Sequence, residues 1–172
     1  MNQDRDRTLE SLIKTEWPRL RRFFRTKAPE SETLDLVQQT MLAFVEGNAR
    51  VAGGERAYLW GIARKQVLKL YERHRPSVPF DSSAHGAMDL GPTFSSRLDR
   101  RTRLLRALLT LPFDQQVAFE LRHGEELSLE EVAEAVGVSL ATVKRYLADA
   151  QAKLRAQLAD DADLAPGEYR AL

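Results

Sequence analysis

Cysteine is absent from the 172 residues. That excludes a disulfide framework, a thiolate zinc site and a cysteine nucleophile together. No apolar run approaches the roughly 18 residues that a membrane span needs. The opening residues MNQDRDRTLE contain no apolar h-region, so no secretory signal is expected. The chain is expected to act in the cytoplasm without inserting into a membrane. A strong charge of one sign is missing too. The formal net charge is +1, so any electrostatic grip on a nucleic acid must be local. Convincing strand alternation is also lacking.

Helical periodicity fills the space these absences leave. At 43% hydrophobic and 30% charged residues, the composition fits a soluble helical protein. The length suits one ordinary domain or two small ones. Charge is unevenly spread: residues 1–75 hold 15 basic against 10 acidic side chains, and residues 76–172 hold 11 against 15. The densest basic stretch runs from Arg56 to Arg75, with six basic residues and one acid, Glu72.

Three amphipathic helices are predicted before residue 75. Leu9, Leu12, Ile13, Trp17, Leu20, Phe23 and Phe24 form one stripe, with Pro18 inside it. A proline there removes a backbone hydrogen bond and is expected to bend or split the helix. Leu34, Val37, Met41, Phe44 and Val45 mark a second helix ending near Gly47. Val51–Gly54 reads as a loop. A third helix is expected over about 55–74, with Leu59, Ile62, Ala63, Val67, Leu70 and Tyr71 as candidate core. Pro76, Pro79, Gly86, Gly91 and Pro92 then break the pattern, and this segment reads as a flexible linker.

Helical pattern resumes near Arg97 with Leu98, Leu104, Leu105, Leu108 and Leu109. Pro112 ends that helix and is placed to open the next at its first position. A short helix over 113–122 is stopped by Gly124. Ser128-Leu129-Glu130-Glu131 is a capping box. The helix it starts turns Leu129, Val132, Ala133 and Val136 inward, and Gly137 permits a tight left-handed corner. Ser139 is a second N-cap candidate. Beyond it, Leu140, Val143, Leu147, Ala150 and Leu154 share one narrow arc. Arg145 lies nearly opposite, flanked by Ala141, Ala148 and Asp149, with Thr142 and Lys144 at the edges. Two capped helices joined through glycine fit a plain helical corner as well as a helix-turn-helix. The full set of small and branched residues at fixed spacing favours the helix-turn-helix, whose second helix suits a major groove. Arg145 suits a guanine edge. Thr142 and the free N–H groups of the first turn suit a phosphate.

Catalysis finds little support. His74, His85 and His123 are isolated and lack metal-ligand spacing. Asp81-Ser82-Ser83 and His85 fall in the linker, where nothing rigid holds a nucleophile and its base. No phosphate loop or dinucleotide fingerprint occurs. No catalytic residue, metal or cofactor is expected.

Several motifs, in order, resemble the sigma-70 family of transcription factors. Leu108–Leu111 with Pro112, Gln115–Phe119, Leu127–Ala133, Gly137-Val138-Ser139 and Thr142-Val143-Lys144 resemble region 4. Leu34-Asp35-Leu36-Val37-Gln38-Gln39-Thr40-Met41 resembles region 2.2, and Tyr58-Leu59-Trp60-Gly61-Ile62-Ala63-Arg64 resembles regions 2.3–2.4. The resemblance covers about residues 8–75 and 97–158. The size, two blocks and linker are similar to the small extracytoplasmic-function type.

The resemblance implies an all-α fold of two small helical domains joined by a flexible linker. A region 2-like domain of three or four helices would occupy 1–75, the linker 76–96, a region 4-like helix-turn-helix domain 97–158 and an acidic tail 159–172. It implies binding to core RNA polymerase and promoter-specific initiation, with Asp35, Gln38, Gln39 and Met41 at the polymerase contact. Recognition and melting of the −10 element would fall to Arg56, Tyr58, Trp60, Arg64, Lys65, Lys69 and Arg73. Basic side chains suit a displaced strand's phosphates, and aromatic faces suit its unpaired bases. Reading of the −35 element would fall to Ser139, Ala141, Thr142, Lys144, Arg145, Ala148 and Asp149. Promoter DNA and polymerase are the implied partners, and many family members also have an anti-sigma factor. This chain departs from the family where Lys65 replaces a common asparagine. Tyr146, Asp149 and Gln151 replace common arginines. Both changes bear on promoter sequence, because lysine cannot make the amide's two-sided contacts and a carboxylate is repelled by phosphate. An operator-binding helix-turn-helix regulator with a helical N-terminal domain remains the alternative.

Overall fold

A computed structural model of the chain describes residues 2–47, 54–73 and 96–158. Every regular element among them is helical. The chain divides into two compact units, Met1–Pro76 and Ser77–Leu172. The predicted linker over 76–96 and the acidic tail lie almost wholly outside the described residues.

The first unit contains α1 (Asn2–Arg25), α2 (Glu30–Gly47) and α3 (Glu55–Arg73). Pro18 does not split α1, which runs through it as one helix. The proline is exposed and its position faces away from the core. Leu20, Phe23 and Phe24 are buried, whereas Leu12, Ile13 and Trp17 are only half-buried. α1 ends in a tight corner, where the N–H groups of Lys27 and Ala28 both donate to the Phe24 carbonyl. Pro29 follows, and its carbonyl accepts from Glu32 and Thr33 to open α2.

The core of this unit is aromatic at its centre. Phe23 meets Phe24 edge-on at 5.5 Å and Trp60 edge-on at 5.3 Å. Leu36, Val37, Met41 and Phe44 enter from α2, and Ala57, Leu59, Ala63, Val67 and Leu70 from α3. Each large apolar side chain so buried stabilises the fold by about 1.5–3 kcal/mol relative to exposure. Thr33 and Thr40 are buried too; each hydroxyl donates to the carbonyl four residues back, of Pro29 and Leu36. Lys27 is also buried, its ammonium 3.9 Å from the Phe23 ring centre and 3.0 Å from the Thr26 hydroxyl.

The second unit contains α4 (Ser96–Leu109), α5 (Phe113–Phe119), α6 (Leu129–Val136) and α7 (Leu140–Gln157). Pro112 is the N-cap of α5 rather than its first helical residue. The predicted end of α5 also differs. The helix widens at Glu120–Gly124 into one π-helical turn, closed by Glu125 N–H on the Glu120 carbonyl at 3.0 Å. The widening lets Leu127 bury completely, with its N–H on the Leu121 carbonyl and its carbonyl on Arg122 at 2.7 Å. α7 packs against α4, α5 and α6. Val143, Leu147, Ala150 and Leu154 supply its buried stripe, as the sequence predicts, while Leu140 is half-buried.

Candidate nucleic-acid interface

Local hydrogen bonding shapes the helix-turn-helix. Ser128 accepts from the Glu131 N–H at 3.1 Å, and the Glu131 carboxylate accepts from the Ser128 N–H at 2.7 Å. α6 ends on Gly137, whose φ of 78° is the left-handed conformation that the sequence predicts for this glycine. The N–H groups of Gly137 and Val138 both donate to the Ala133 carbonyl. Ser139 then caps α7 by accepting from the Thr142 N–H, and the two hydroxyls lie 2.9 Å apart.

This frame presents one side of α7 outward. Ala141, Lys144, Arg145, Ala148 and Asp149 are exposed, and Thr142 and Tyr146 are half-buried. The exposed Ser139 stands at the start of the helix. The two alanines keep the surface low beside the two cations, so the helix backbone can approach a groove closely. All seven predicted residues of this element therefore occupy one end and one outward side of α7.

The picture on α3 is more selective. Tyr58, Ile62, Lys65 and Lys69 follow one another at three- and four-residue steps on the side away from the core. Lys65 and Lys69 are exposed, and Tyr58 and Ile62 are half-buried. Tyr58 lies tilted on Phe44 at 6.1 Å. Its hydroxyl reaches Gly47, where an added Cβ would collide with the oxygen. Arg73 is exposed and pairs loosely with Glu32 at 3.7 Å. Arg64 is half-buried one turn after Trp60, away from this side.

Two more residues assigned to this face point elsewhere. Trp60 is fully buried, edge-on to Phe23, with its indole N–H on the Glu16 carboxylate at 3.0 Å. It is a core side chain and offers no face to a base. Arg56 donates through Nε to the other Glu16 oxygen at 3.0 Å, and its side chain is 23% exposed. It acts as counter-ion to a buried acid, not as part of an open phosphate track. The misassignment has a physical cause. Tyr58-Leu59-Trp60-Gly61-Ile62 surrounds the helix with apolar groups, so this stretch by itself does not say which of its aromatics is inward.

α2 presents a third surface. Asp35, Gln38 and Gln39 are exposed, and the Gln39 amide donates to the Asp35 carboxylate one turn earlier. Met41, placed with them from sequence, is 6% exposed and belongs to the core. Its place on the surface is taken by apolar side chains. Leu34, Leu42 and Val45 are 50%, 60% and 45% exposed and share the outward side with Gln38. Leu34 and Val45 were expected in the core. They lie just beyond the edge of an arc that Thr33, Leu36, Val37, Thr40, Met41 and Phe44 already fill.

Sequence reading missed one polar residue altogether. Glu16 is 3% exposed and joins α1 to α3. A signal was present: it interrupts the apolar stripe at the fourth step between Leu12 and Leu20. An acid in that position needs a buried partner. No group of three or more metal-ligating side chains occurs among the described residues.

The chain is similar to known proteins. The family model described as "Sigma-70, region 4" matches residues 101–154. The RNA polymerase sigma-E factor of Streptomyces coelicolor is 30% identical over 162 residues, spanning 87% of this chain and 85% of that protein. The fold is shared with two solved structures. One is the sigma factor RpoE in complex with the anti-sigma factor NepR from Bartonella quintana (TM-score 0.65, 22% identity, 88% of this chain and 97% of that one). The other is CnrH in complex with the cytosolic domain of CnrY (TM-score 0.67, 23% identity, 91% of each chain). The chain belongs to the sigma-70 family of RNA polymerase sigma factors.

Proposed function

We propose that this chain binds core RNA polymerase through the outward side of α2 and directs it to promoters in the cytoplasm. In this reading α3 meets the −10 element through Tyr58, Lys65 and Lys69, with Arg73 beside them. α7 meets the −35 element through Thr142, Lys144 and Arg145. The protein is a binding factor and not an enzyme.

One observation carries the reading: the exposed face of α2. Leu34, Leu42 and Val45 surround Gln38 in the same unit as the basic side of α3. An apolar patch threaded with amides suits a protein partner better than water or phosphate. An operator-binding regulator has no use for such a face beside a strand-contacting helix. The region 4 match and the sigma-E relative support the same assignment. The Bartonella quintana sigma factor was solved with an anti-sigma factor, and a protein inhibitor of that kind is the third partner proposed here.

Reconstitution tests this directly. The protein is added to core polymerase and promoter DNA, and transcripts and core binding are measured. Core binding with promoter-dependent transcripts is expected. Tight duplex binding without polymerase, and no transcript from any cognate promoter, would favour the operator-binding alternative instead.

A further inference from the structure

The buried carboxylate of Glu16 touches α3 at two successive turns. Oε1 accepts from Arg56 Nε and Oε2 from Trp60 Nε1, each at 3.0 Å, across 40 and 44 residues of chain. Arg19 approaches the same group at 3.9 Å from within α1. The Glu16 side chain is 4% exposed and that of Arg56 23%.

We propose that Glu16 is a positioning residue for the outward face of α3. Its two hydrogen bonds fix the rotation of α3 about its own axis, and Arg56 serves as an internal counter-ion rather than a phosphate contact. The inference rests on the reading that α3 meets the −10 element.

Apolar burial is non-directional, so it does not by itself choose among rotations of a helix. Leu59, Ala63, Val67 and Leu70 set the inward side of α3 broadly, but residues 58–62 are apolar or glycine on every side and leave its exact rotation open. Hydrogen bonds are directional and satisfied only within a narrow geometry. A rotation of one residue, about 100°, would take Arg56 and Trp60 off the carboxylate and swing Lys65 and Lys69 away from their side. Using a buried polar contact to select one register is the best-attested role of such groups. The same contact removes Arg56 from DNA binding, because a phosphate would have to displace a carboxylate already in place and shielded from water.

The test uses holoenzyme reconstituted from the full chain and core polymerase. Promoter opening is read by permanganate reactivity of −10 thymines, and promoter affinity is measured across salt concentrations. Lys65→Gln should lower the slope of log affinity against log salt by about 1, whereas Arg56→Gln should leave it unchanged. Glu16→Gln should reduce opening by about tenfold or more with core affinity unchanged, since it leaves the Arg56 charge without its carboxylate. Glu16→Gln combined with Arg56→Met should restore part of the opening.

Opening at the wild-type level in Glu16→Gln, beside a clear Lys65→Gln defect, overturns the positioning role alone. A slope lowered equally by Arg56→Gln and Lys65→Gln overturns the counter-ion role. A Lys65→Gln variant silent in both assays overturns the α3 reading and this inference with it. If Glu16→Gln does not fold, the Arg56→Gln slope decides the counter-ion role, and Trp60→Phe, which removes one of the two hydrogen bonds, decides the positioning role: reduced opening is expected, and opening at the wild-type level overturns it.

Discussion

In the unit that carries α5, α6 and α7, the polar groups that shape the turns act over three to five residues of chain, and its long-range side-chain bonds, Lys153 to Gln115 and Gln157 to Thr110, are exposed. Ser128 pairs with Glu131, Ser139 with Thr142, and Arg122 with the Leu127 carbonyl. In the unit of α1, α2 and α3 the corresponding group, Glu16, acts across 40 and 44 residues. The first kind of contact forms as soon as the local backbone does. The second exists only when two helices have already packed. The helix-turn-helix therefore carries its own geometry, while the basic face of α3 borrows its direction from α1.

The sharpest way to break this comparison is Trp60→Ala. Removing a fully buried tryptophan costs about 3–5 kcal/mol, and here it also strips a partner from a buried carboxylate. Amide hydrogen exchange on the full chain should show protection lost throughout α1–α3 and kept in α5–α7. Equal loss in both units would show that they do not hold their folds separately.

Next in size is Leu42→Gln. Leu42 is 60% exposed, so stability should change by less than about 0.5 kcal/mol. Core polymerase affinity should fall by about 2 kcal/mol or more if the residue sits centrally in the contact. A binding titration beside a denaturation curve separates the two effects. Unchanged affinity would move the docking surface off α2.

Ser128→Ala should be smaller, about 1 kcal/mol, because it removes one cap of a reciprocal pair. The loss should be confined to exchange in α6 and α7. A comparable loss in α1–α3 would contradict the local character assigned to these contacts.

The smallest effect is expected from pH. Burial of the His123 ring, and secondarily the charge of Arg122, lowers its pKa from 6.5. The ring packs against Phe119 with centroids 4.5 Å apart. The folded unit thus prefers neutral imidazole. Its contribution is complete above pH 6.5 and declines as pH falls through the lowered folded value. Denaturation midpoints near neutrality and at about pH 5 should differ less in His123→Gln than in the parent chain. An identical pH response in the variant would assign the dependence to other groups.

The same contrast explains what could be read from sequence. The capping box, the left-handed Gly137, the Ser139 cap and the inward stripe of α7 are local signals, and each was legible. The outward side of α7 followed by elimination. On α3 the inward stripe of Leu59, Ala63, Val67 and Leu70 was legible, but the burial of Trp60 was not, since Trp60 and Tyr58 look alike in a run that is apolar all round. Arg56 looked like a free cation because its acid lies a helix away. Met41, named both in the apolar stripe and at the polymerase contact, lies in the core, and Leu42, one residue or about 100° further round, is exposed. The exposure of Leu34 and Val45 depended on how wide an arc α1 and α3 could cover.

The outward residues of α7 carry almost none of the packing around them. Ala141, Lys144, Arg145, Ala148 and Asp149 are exposed, while the caps and the buried stripe lie on other positions. Substitutions there are close to neutral for folding. If α7 reads the −35 element as proposed, its reading can change while the scaffold stays as it is. Ala141, Lys144, Arg145, Ala148 and Asp149 are then the positions where a library of altered promoter preferences is best built.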